Sequence, residues 1–406
     1  MKTRSPLAVL FLTVLVDLIG FGIVLPLLPR YADRFAAAGW AIGALQGSFS
    51  LMQLVFMPFW GRLSDRIGRR PVLMIGLAGS VASYALFGIA DSFAVLLASR
   101  IAAGIFGATI GTAQAYIADV TDEKGRGRGM AVIGAAFGVG FAVGPIIGGL
   151  SYDQLGSSAP GFIAAGLSAV ALLVAWFFLP EPDRRLSTAR RGIFGGEGIR
   201  HAFSTPTLPL ILLLQFIATF AFSNFEGTLS ILTKVRWEYT EADNGWLFSY
   251  IGVCLLVIQG GLVRRLLPRF GELNFVVGGC AVLMVGLAAL GLADTAVQAL
   301  VVVPVAILGF SMLTPSLSSL LSRRTPQSLQ GEVLGIGQSM LALARALGPA
   351  IGMPLMGLQH PTPKETTLLH PSWPYWFGAA AMFVALIGGI RLRSAKVPER
   401  ADAAAV

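Results

Sequence analysis

Cysteine and histidine are scarce in this sequence, and their scarcity limits the kinds of protein it can be. The two cysteines, Cys254 and Cys280, both lie in apolar runs, which predicts small core residues and neither a disulfide framework nor a metal site. The three histidines lie in polar connections, so no histidine proton relay is available inside an apolar run. The sequence also offers no nucleophile–base set and no nucleotide-binding glycine loop, so we expect neither an enzyme nor a cofactor.

Charged residues are also few, and their placement decides the protein class. Only 13% of the residues are charged and 55% are hydrophobic, with a mean hydropathy of +0.74. The net charge of +9 comes from Lys and Arg in short loops, with no basic face interleaved with aromatics, so we expect no nucleic-acid partner. Repeated apolar runs of about 20 residues are long enough to cross a bilayer as helices.

Twelve such runs predict twelve transmembrane helices, the first of them retained and not cleaved as a signal peptide. Most Lys and Arg residues fall on the side that carries the N-terminus and every second loop. The positive-inside rule therefore predicts that both termini are cytoplasmic. The predicted spans are 7–29, 41–60, 72–92, 96–118, 130–150, 160–179, 208–231, 245–263, 274–293, 298–320, 332–357 and 374–392.

The chain divides into two similar halves. Residues 180–207 form the longest polar connection and separate six predicted spans from six. The sequence GPIIG at 144–148 recurs as GPAIG at 348–352, which indicates a parallel repeat of the kind found in secondary transporters. We therefore predict an all-α membrane protein of two pseudo-symmetric six-helix bundles, with an N-terminal bundle at 1–179, a cytoplasmic linker at 180–207 and a C-terminal bundle with a short tail at 208–406.

Three motifs identify the chain as similar to a known family. Residues 61–70 match the loop signature G-x-L-x-D-R-x-G-R-R, and Arg100 with Gly104 matches R-x-x-x-G in the fourth span. The fifth span matches G-x-x-x-G-P-x-x-G-G through Gly140, Gly144, Pro145, Gly148 and Gly149. The chain thus resembles the major facilitator superfamily, and within it the twelve-span drug:proton antiporters that include the tetracycline exporters. The resemblance covers essentially residues 5–395.

The resemblance implies a conformational latch on the cytoplasmic side. Asp65 would meet the start of the eleventh span near Gly331, and Arg69 would pair with Asp119 at the end of the fourth. The alternative is a topology anchor with incidental charges. The predicted latch residues are Gly61, Asp65, Arg66, Gly68, Arg69, Arg70 and Asp119.

Four charged residues fall inside the predicted spans, where each costs about 2.5–3.5 kcal/mol at the bilayer centre. Asp17 lies near the middle of the first span and is either a proton-coupling site or a hydrogen-bonded structural acid. By resemblance, Arg100 acts in proton coupling; the alternative is a structural ion pair. Glu226 is a second proton or substrate carboxylate, or an interfacial residue, and Arg345 either binds an anionic substrate or neutralises Glu226.

Polar and aromatic residues within the spans predict a central cavity for varied apolar ligands. Gln114 follows Arg100 by almost four helical turns, so both are expected to face the same way. The predicted cavity residues are Gln46, Gln53, Gln114, Phe141, Gln215, Phe220, Gln338 and Arg345.

One departure from the tetracycline exporters affects the expected substrate. Those exporters carry an acid in the third span, where this chain has Ser83, and a histidine with an acid in spans eight and nine, where it has neither. A metal–tetracycline complex is therefore a poor candidate.

We predict proton-coupled export of a small, largely apolar or amphiphilic molecule such as a drug, by a monomer in a bacterial inner membrane, with antibiotic resistance as one outcome. The alternatives are a proton-coupled importer or facilitator of a defined metabolite, an anionic one included, and a non-transporting receptor.

Overall fold

Helices account for all the regular structure in the described part of the chain. The computed structural model describes residues 6–35, 39–121, 123–182, 196–326, 329–356 and 371–394, and within them no strand occurs. This confirms the predicted all-α class. It follows from the composition, since backbone groups in a bilayer must bond within their own segment, and a helix provides this.

The first six predicted spans correspond to eight α-helices, because two of the spans are interrupted. The first span changes to a short 3₁₀ segment at Leu25–Leu27, where Pro26 removes a backbone donor. The fourth span breaks at Ala108 and Thr109. The helices are α1 (Pro6–Val24), α2 (Leu28–Arg34), α3 (Gly39–Ile67), α4 (Arg69–Gly88), α5 (Phe93–Gly107), α6 (Ile110–Val120), α7 (Glu123–Leu155) and α8 (Ala159–Phe178).

The second half adds one helix that the sequence analysis did not predict. Within the connection at 180–207, α9 (Gly196–Ser204) forms, and Glu332 Oε2 accepts a hydrogen bond from the Gly198 N–H at 2.8 Å. The eighth span passes through a π-helical segment, Ile258–Val263. The other helices are α10 (Leu208–Trp237), α11 (Glu241–Val257), α12 (Arg264–Phe270), α13 (Glu272–Gly291), α14 (Ala296–Arg323), α15 (Gln330–Leu355) and α16 (Trp373–Ser394).

Among the described residues, eleven helical segments are long and apolar enough to cross a membrane. They cover every predicted span except the fifth, which corresponds to α7. That helix is present along its whole predicted length, but the side chains of residues 123–135 lie outside the described part of the chain. The chain is an integral membrane protein.

Contacts group the chain into two units. Unit 1 comprises residues 1–188, 227–256 and 349–371, and unit 2 comprises residues 189–226, 257–348 and 372–406. The described core of unit 1 includes an apolar cluster to which α1 contributes Leu10 and α6 contributes Tyr116 and Ile117. The predicted domain limits at 179 and 208 are not tested by this grouping and stay a prediction.

Close helix packing in unit 1 depends on the glycines of α7. A Cβ atom on Gly144 would lie 2.7 Å from the Ile19 carbonyl oxygen and 2.8 Å from the Gly22 Cα, and both are backbone atoms of α1. Since backbone cannot turn away as a side chain can, only glycine allows the two helices to approach this closely.

We expect Gly144→Ala to destabilise the protein by about 1–3 kcal/mol, because the added methyl group must push α1 away from α7. Thermal unfolding of the purified protein in detergent measures the effect. Gly166→Ala is the matched control, since nothing lies within 4 Å of its Cβ position on α8, and it should be neutral or slightly stabilising. Equal unfolding temperatures for the two variants would show that this contact is not tight.

Candidate functional site

Asp17 of α1 is held by a hydroxyl group of α4. Ser80 Oγ donates a hydrogen bond to Asp17 Oδ1 at 2.9 Å. Among the described residues no cation forms an ion pair with this carboxylate. Asp17 also borders a cavity of about 20 Å³, together with Thr13 and Thr109. A cavity of that size has room for about one water molecule.

Tyr84 lies near both Asp17 and the buried Arg100. It lies one helical turn after Ser80 and is 3% exposed, and its ring packs against Gly20, 2.8 Å from the position of a Cβ there. The Tyr84 side chain lies within electrostatic range of both Asp17 and Arg100. Side chains of α1, α4 and α5 are therefore brought together around one phenol group.

Arg100 is buried without full hydrogen bonding. Its side chain is 1% exposed, and its Nε has no hydrogen-bond partner among the described residues. The guanidinium carbon lies 4.9 Å from the centre of the Phe49 ring, a cation–π arrangement. Phe21 continues this aromatic surface, with ring centres 5.0 Å from Phe49 and 5.8 Å from Phe141. A buried cation next to aromatic rings is suited to an amphiphilic ligand with a negative group.

The predicted cavity residues of α3 share one face of the helix. Gln46 Nε2 donates to the Gly227 carbonyl at 3.2 Å, and Gln53 Nε2 donates to the Gly107 carbonyl at 3.4 Å. Phe49 lies between them along the helix. Gln114 is exposed whereas Arg100 is buried, and the helix is interrupted at Ala108 and Thr109 between them. The expectation that both face the same way stays a prediction.

The other two membrane-embedded charges lie near each other in unit 2. Glu226 of α10 and Arg345 of α15 lie within electrostatic range of each other, but they form no direct ion pair in the described part of the chain. The helices touch closely here: Ser223 Oγ donates to the Arg345 carbonyl at 3.2 Å, and a Cβ on Gly348 would lie 2.8 Å from the Asn224 nitrogen. Both roles predicted for Arg345, binding of an anionic substrate and neutralisation of Glu226, stay predictions.

The remaining cavity residues of unit 2 differ in burial. Gln215 is 4% exposed and donates from Nε2 to Ser318 Oγ at 3.3 Å. Phe220 stacks on Phe216 with ring centres 6.2 Å apart. Gln338 is exposed.

Arg69 is the centre of the predicted cytoplasmic latch. Its Nε lies 2.9 Å from Asp119 Oδ2, and its NH1 lies 2.6 Å from Asp65 Oδ1. NH1 also donates to Ser64 Oγ at 2.6 Å. Gly68 has φ 118°, a conformation that favours glycine, and it ends α3 so that α4 can begin at once. Nothing lies within 4 Å of the Cβ position of Gly61.

Glu181 belongs to the same cluster and was not predicted. Its carboxylate accepts hydrogen bonds from the backbone N–H groups of Arg69 at 2.7 Å and Arg70 at 2.9 Å, at the start of α4. A carboxylate there is stabilised by the helix dipole. Arg66 is exposed, and the expected contact of Asp65 with the start of α15 near Gly331 stays a prediction.

We expect Arg69→Gln to lower transport about tenfold, since three contacts to Asp65, Asp119 and Ser64 are lost together. Arg62→Gln is the matched control, because within the described residues Arg62 Nε donates to the Pro58 carbonyl of its own helix and to no other group. Initial transport rates in proteoliposomes, with insertion checked by quantitative blotting, measure the effect. If both variants lose the same activity, the loop acts only as a topology anchor.

The glycine motif of α7 has two contacting faces in unit 1. On one face, a Cβ on Gly140 would lie 2.8 Å from Leu18 Cβ, and Gly144 and Gly148 face the α1 backbone. On the other face, Gly149 packs against the Glu241 carbonyl, and a Cβ on Gly245 would lie 2.5 Å from the Pro145 carbonyl. The motif thus holds α7 against both α1 and α11.

Comparison with known proteins identifies the family. The sequence pattern of the Major Facilitator Superfamily matches residues 10–349. The chain belongs to the major facilitator superfamily. Its relatives include bovine major facilitator superfamily domain-containing protein 10 (32% identity over 398 residues, covering 85% of each chain). They also include the class C tetracycline resistance protein of Escherichia coli (31% over 363 residues, covering 86% of this chain and 89% of that one).

The fold of this major facilitator protein is also that of a solved relative. The crystal structure of the human organic anion transporter MFSD10 (TETRAN) superposes with a TM-score of 0.73 at 27% identity, covering 96% of this chain and all of that one. Both a tetracycline resistance protein and an organic anion transporter are therefore similar to it.

Two residues of this major facilitator protein's site escaped the sequence analysis. Ser80 and Tyr84 contact Asp17 and its helix from α4, yet in the sequence they are a serine and an aromatic residue among many. One signal was available: an acid within a membrane span requires a donor nearby, and Ser80, Ser83 and Tyr84 are the polar side chains of the middle of α4.

Proposed function

We propose that this protein is a proton-coupled antiporter, of the drug:proton branch, that exports a small, largely apolar or amphiphilic molecule by alternating access. The observation that carries the proposal is the Asp17–Ser80 hydrogen bond, which joins two membrane-spanning helices beside space for one water molecule. A serine hydroxyl can donate to a carboxylate and can accept from a carboxylic acid. Asp17 is therefore satisfied in either protonation state, as a reversible proton site requires.

In this proposal, loading and release of a proton at Asp17 bias the orientation of the two bundles, and substrate biases it in the opposite sense. Each ligand shifts the equilibrium only through its different affinity for the two states. Glu226 and Arg345 form a second charged site within the membrane-spanning helices. We further propose a monomer without enzymatic activity or cofactor, in a bacterial inner membrane with both termini in the cytoplasm, and a contribution to drug resistance.

A second candidate function is transport of an organic anion by import or facilitation. The observation in its favour is Arg100, buried with an Nε that lacks a partner among the described residues. The name of the human relative points to the same substrate class.

The direction of a proton gradient distinguishes these functions. Purified protein is placed in liposomes with an acidic interior or an acidic exterior, and uptake of cationic dyes and of labelled organic anions is measured against protein-free liposomes. Accumulation driven by an acidic interior supports the antiporter, and accumulation driven by an acidic exterior supports the importer. If substrate only equilibrates across the liposome membrane, and neither proton gradient nor an added protonophore changes its uptake, the result supports the facilitator and contradicts proton coupling.

A further inference from the structure

The helix α9 has an exposed apolar side. At about 100° per residue, Gly198 and Ala202 share one side of this helix, and both are buried. Ile199 and Phe203 follow on the next side, one helical turn apart, and are 38% and 61% exposed. Arg200 borders them and is exposed as well. The helix therefore presents a short apolar strip with a cation at its edge.

Both ends of α9 are attached to membrane-spanning helices of unit 2. Glu332 Oε2, in the first turn of α15, accepts a hydrogen bond from the Gly198 N–H at 2.8 Å. At the other end, the Thr205 N–H donates to the His201 carbonyl at 3.1 Å, and the Leu208 N–H donates to the Thr205 carbonyl at 3.2 Å. Leu208 is the first residue of the membrane-spanning helix α10, and three residues separate it from the end of α9. Since such a connection spans at most about 14 Å when extended, α9 lies next to the membrane surface.

The charge of this part of the chain is suited to an anionic surface. Residues 184–204 contain five arginines and one acidic residue, Glu197. Four of the arginines precede α9 at 184–191, outside the described part of the chain, and the fifth is Arg200 at the edge of the apolar strip. A basic helix with an apolar side lies in the interface of a membrane, and anionic lipids strengthen its binding.

A lipid surface is the partner that this side of α9 fits best. The membrane is already adjacent to the helix, and its headgroup layer offers apolar surface for the strip and phosphate groups for the cation. We propose that α9 binds the membrane surface, with Ile199 and Phe203 in the headgroup region and Arg200 on the phosphate group of an anionic lipid such as phosphatidylglycerol. This contact is separate from the Asp17 cluster and requires no transported molecule.

Accessibility of a nitroxide spin label tests where the strip lies. The label is attached to Phe203→Cys or, as the matched control, to Ser204→Cys, which points about 100° away on α9. Cys254→Ala serves as the background, because Cys280 is 1% exposed and out of reach of the label. The full-length protein is placed in nanodiscs of phosphatidylcholine and phosphatidylglycerol. Electron paramagnetic resonance then measures collisions of each label with oxygen, which dissolves in lipid, and with a water-soluble nickel complex.

We expect the label at position 203 to collide with the nickel complex at least about fivefold less often than the label at position 204, and with oxygen at least as often, because lipid surrounds it. Equal collisions with nickel at the two positions would place the strip in water. Protection of the label at position 203 from oxygen as well as from nickel would place a protein surface over the strip, from this chain or from a second copy. Either result would overturn the proposal.

The charge of the lipid is tested with the same label on Phe203→Cys. In nanodiscs of phosphatidylcholine alone, or after Arg200→Gln, we expect collisions with the nickel complex to rise about threefold, because the attraction between Arg200 and the anionic lipid is lost. The matched control is Arg265→Gln, which removes the same charge from an exposed position of α12 and should leave the label protected. Equal protection with and without phosphatidylglycerol, or equal losses in the Arg200 and Arg265 variants, would contradict binding of an anionic lipid by Arg200.

Discussion

Asp17→Asn is expected to abolish uphill transport while substrate exchange continues. Asparagine keeps the size of the side chain and can still bond with Ser80, but it cannot load or release a proton. Without coupling, a neutral substrate can only equilibrate, so its accumulation ratio in proteoliposomes with an acidic interior should fall to about one. Exchange of labelled for unlabelled substrate at equal pH requires no net proton movement and should be retained.

The matched control for this variant is Asp91→Asn, which makes the same change at an exposed position between α4 and α5. It should accumulate substrate as the unmodified protein does. Uphill accumulation retained in Asp17→Asn would contradict a coupling role for Asp17. Loss of exchange as well as accumulation would indicate instead a structural acid, the alternative that the sequence left open.

Local sequence signals predicted most of the helices, because a membrane-spanning helix is recognised from a long apolar run that is bounded by charged residues. The interruptions were harder to predict. The break at Ala108 and Thr109 occurs in an apolar stretch without proline, and it separates Gln114 from Arg100. Extrapolating one helical phase across fourteen residues assumed a continuous helix, and the helix is interrupted between these two residues.

The candidate site was predicted as charges but not as contacts. A buried charge is visible in a sequence because it is rare in an apolar run, so Asp17 and Arg100 stood out. Their neighbours, Ser80 and Phe49, are ordinary residues whose importance comes from the helices that face them. Glu181 shows the same limit: it lies 112 residues from Arg69 along the chain, and only the folded bundle brings its carboxylate to the start of α4.

Substitution of Arg100 is the second change with a large expected effect. With 1% exposure and a Phe49 ring 4.9 Å from its guanidinium carbon, Arg100 has a planar cation in a confined position. Arg100→Gln removes the charge, and Arg100→Lys keeps it but replaces the planar group by a compact ammonium. We expect gradient-driven transport to fall at least about 100-fold in the first variant, and by about tenfold in the second, because Lys preserves the charge but not the stacking.

The charge of the transported molecule shows what Arg100 does. If Arg100 acts on the protonation of its neighbours, Arg100→Gln should lower the maximal rate for cationic and anionic substrates alike, since every cycle uses the same proton site. If Arg100 contacts the substrate, the variant should raise the KM for anions selectively and spare cations, because only anions lose an opposite charge. Transport rates at several concentrations of one dye and one organic anion separate the two outcomes. Each role requires that loss of the Arg100 charge change the transport kinetics of at least one substrate. Unchanged kinetics for both substrates in Arg100→Gln would therefore contradict both roles.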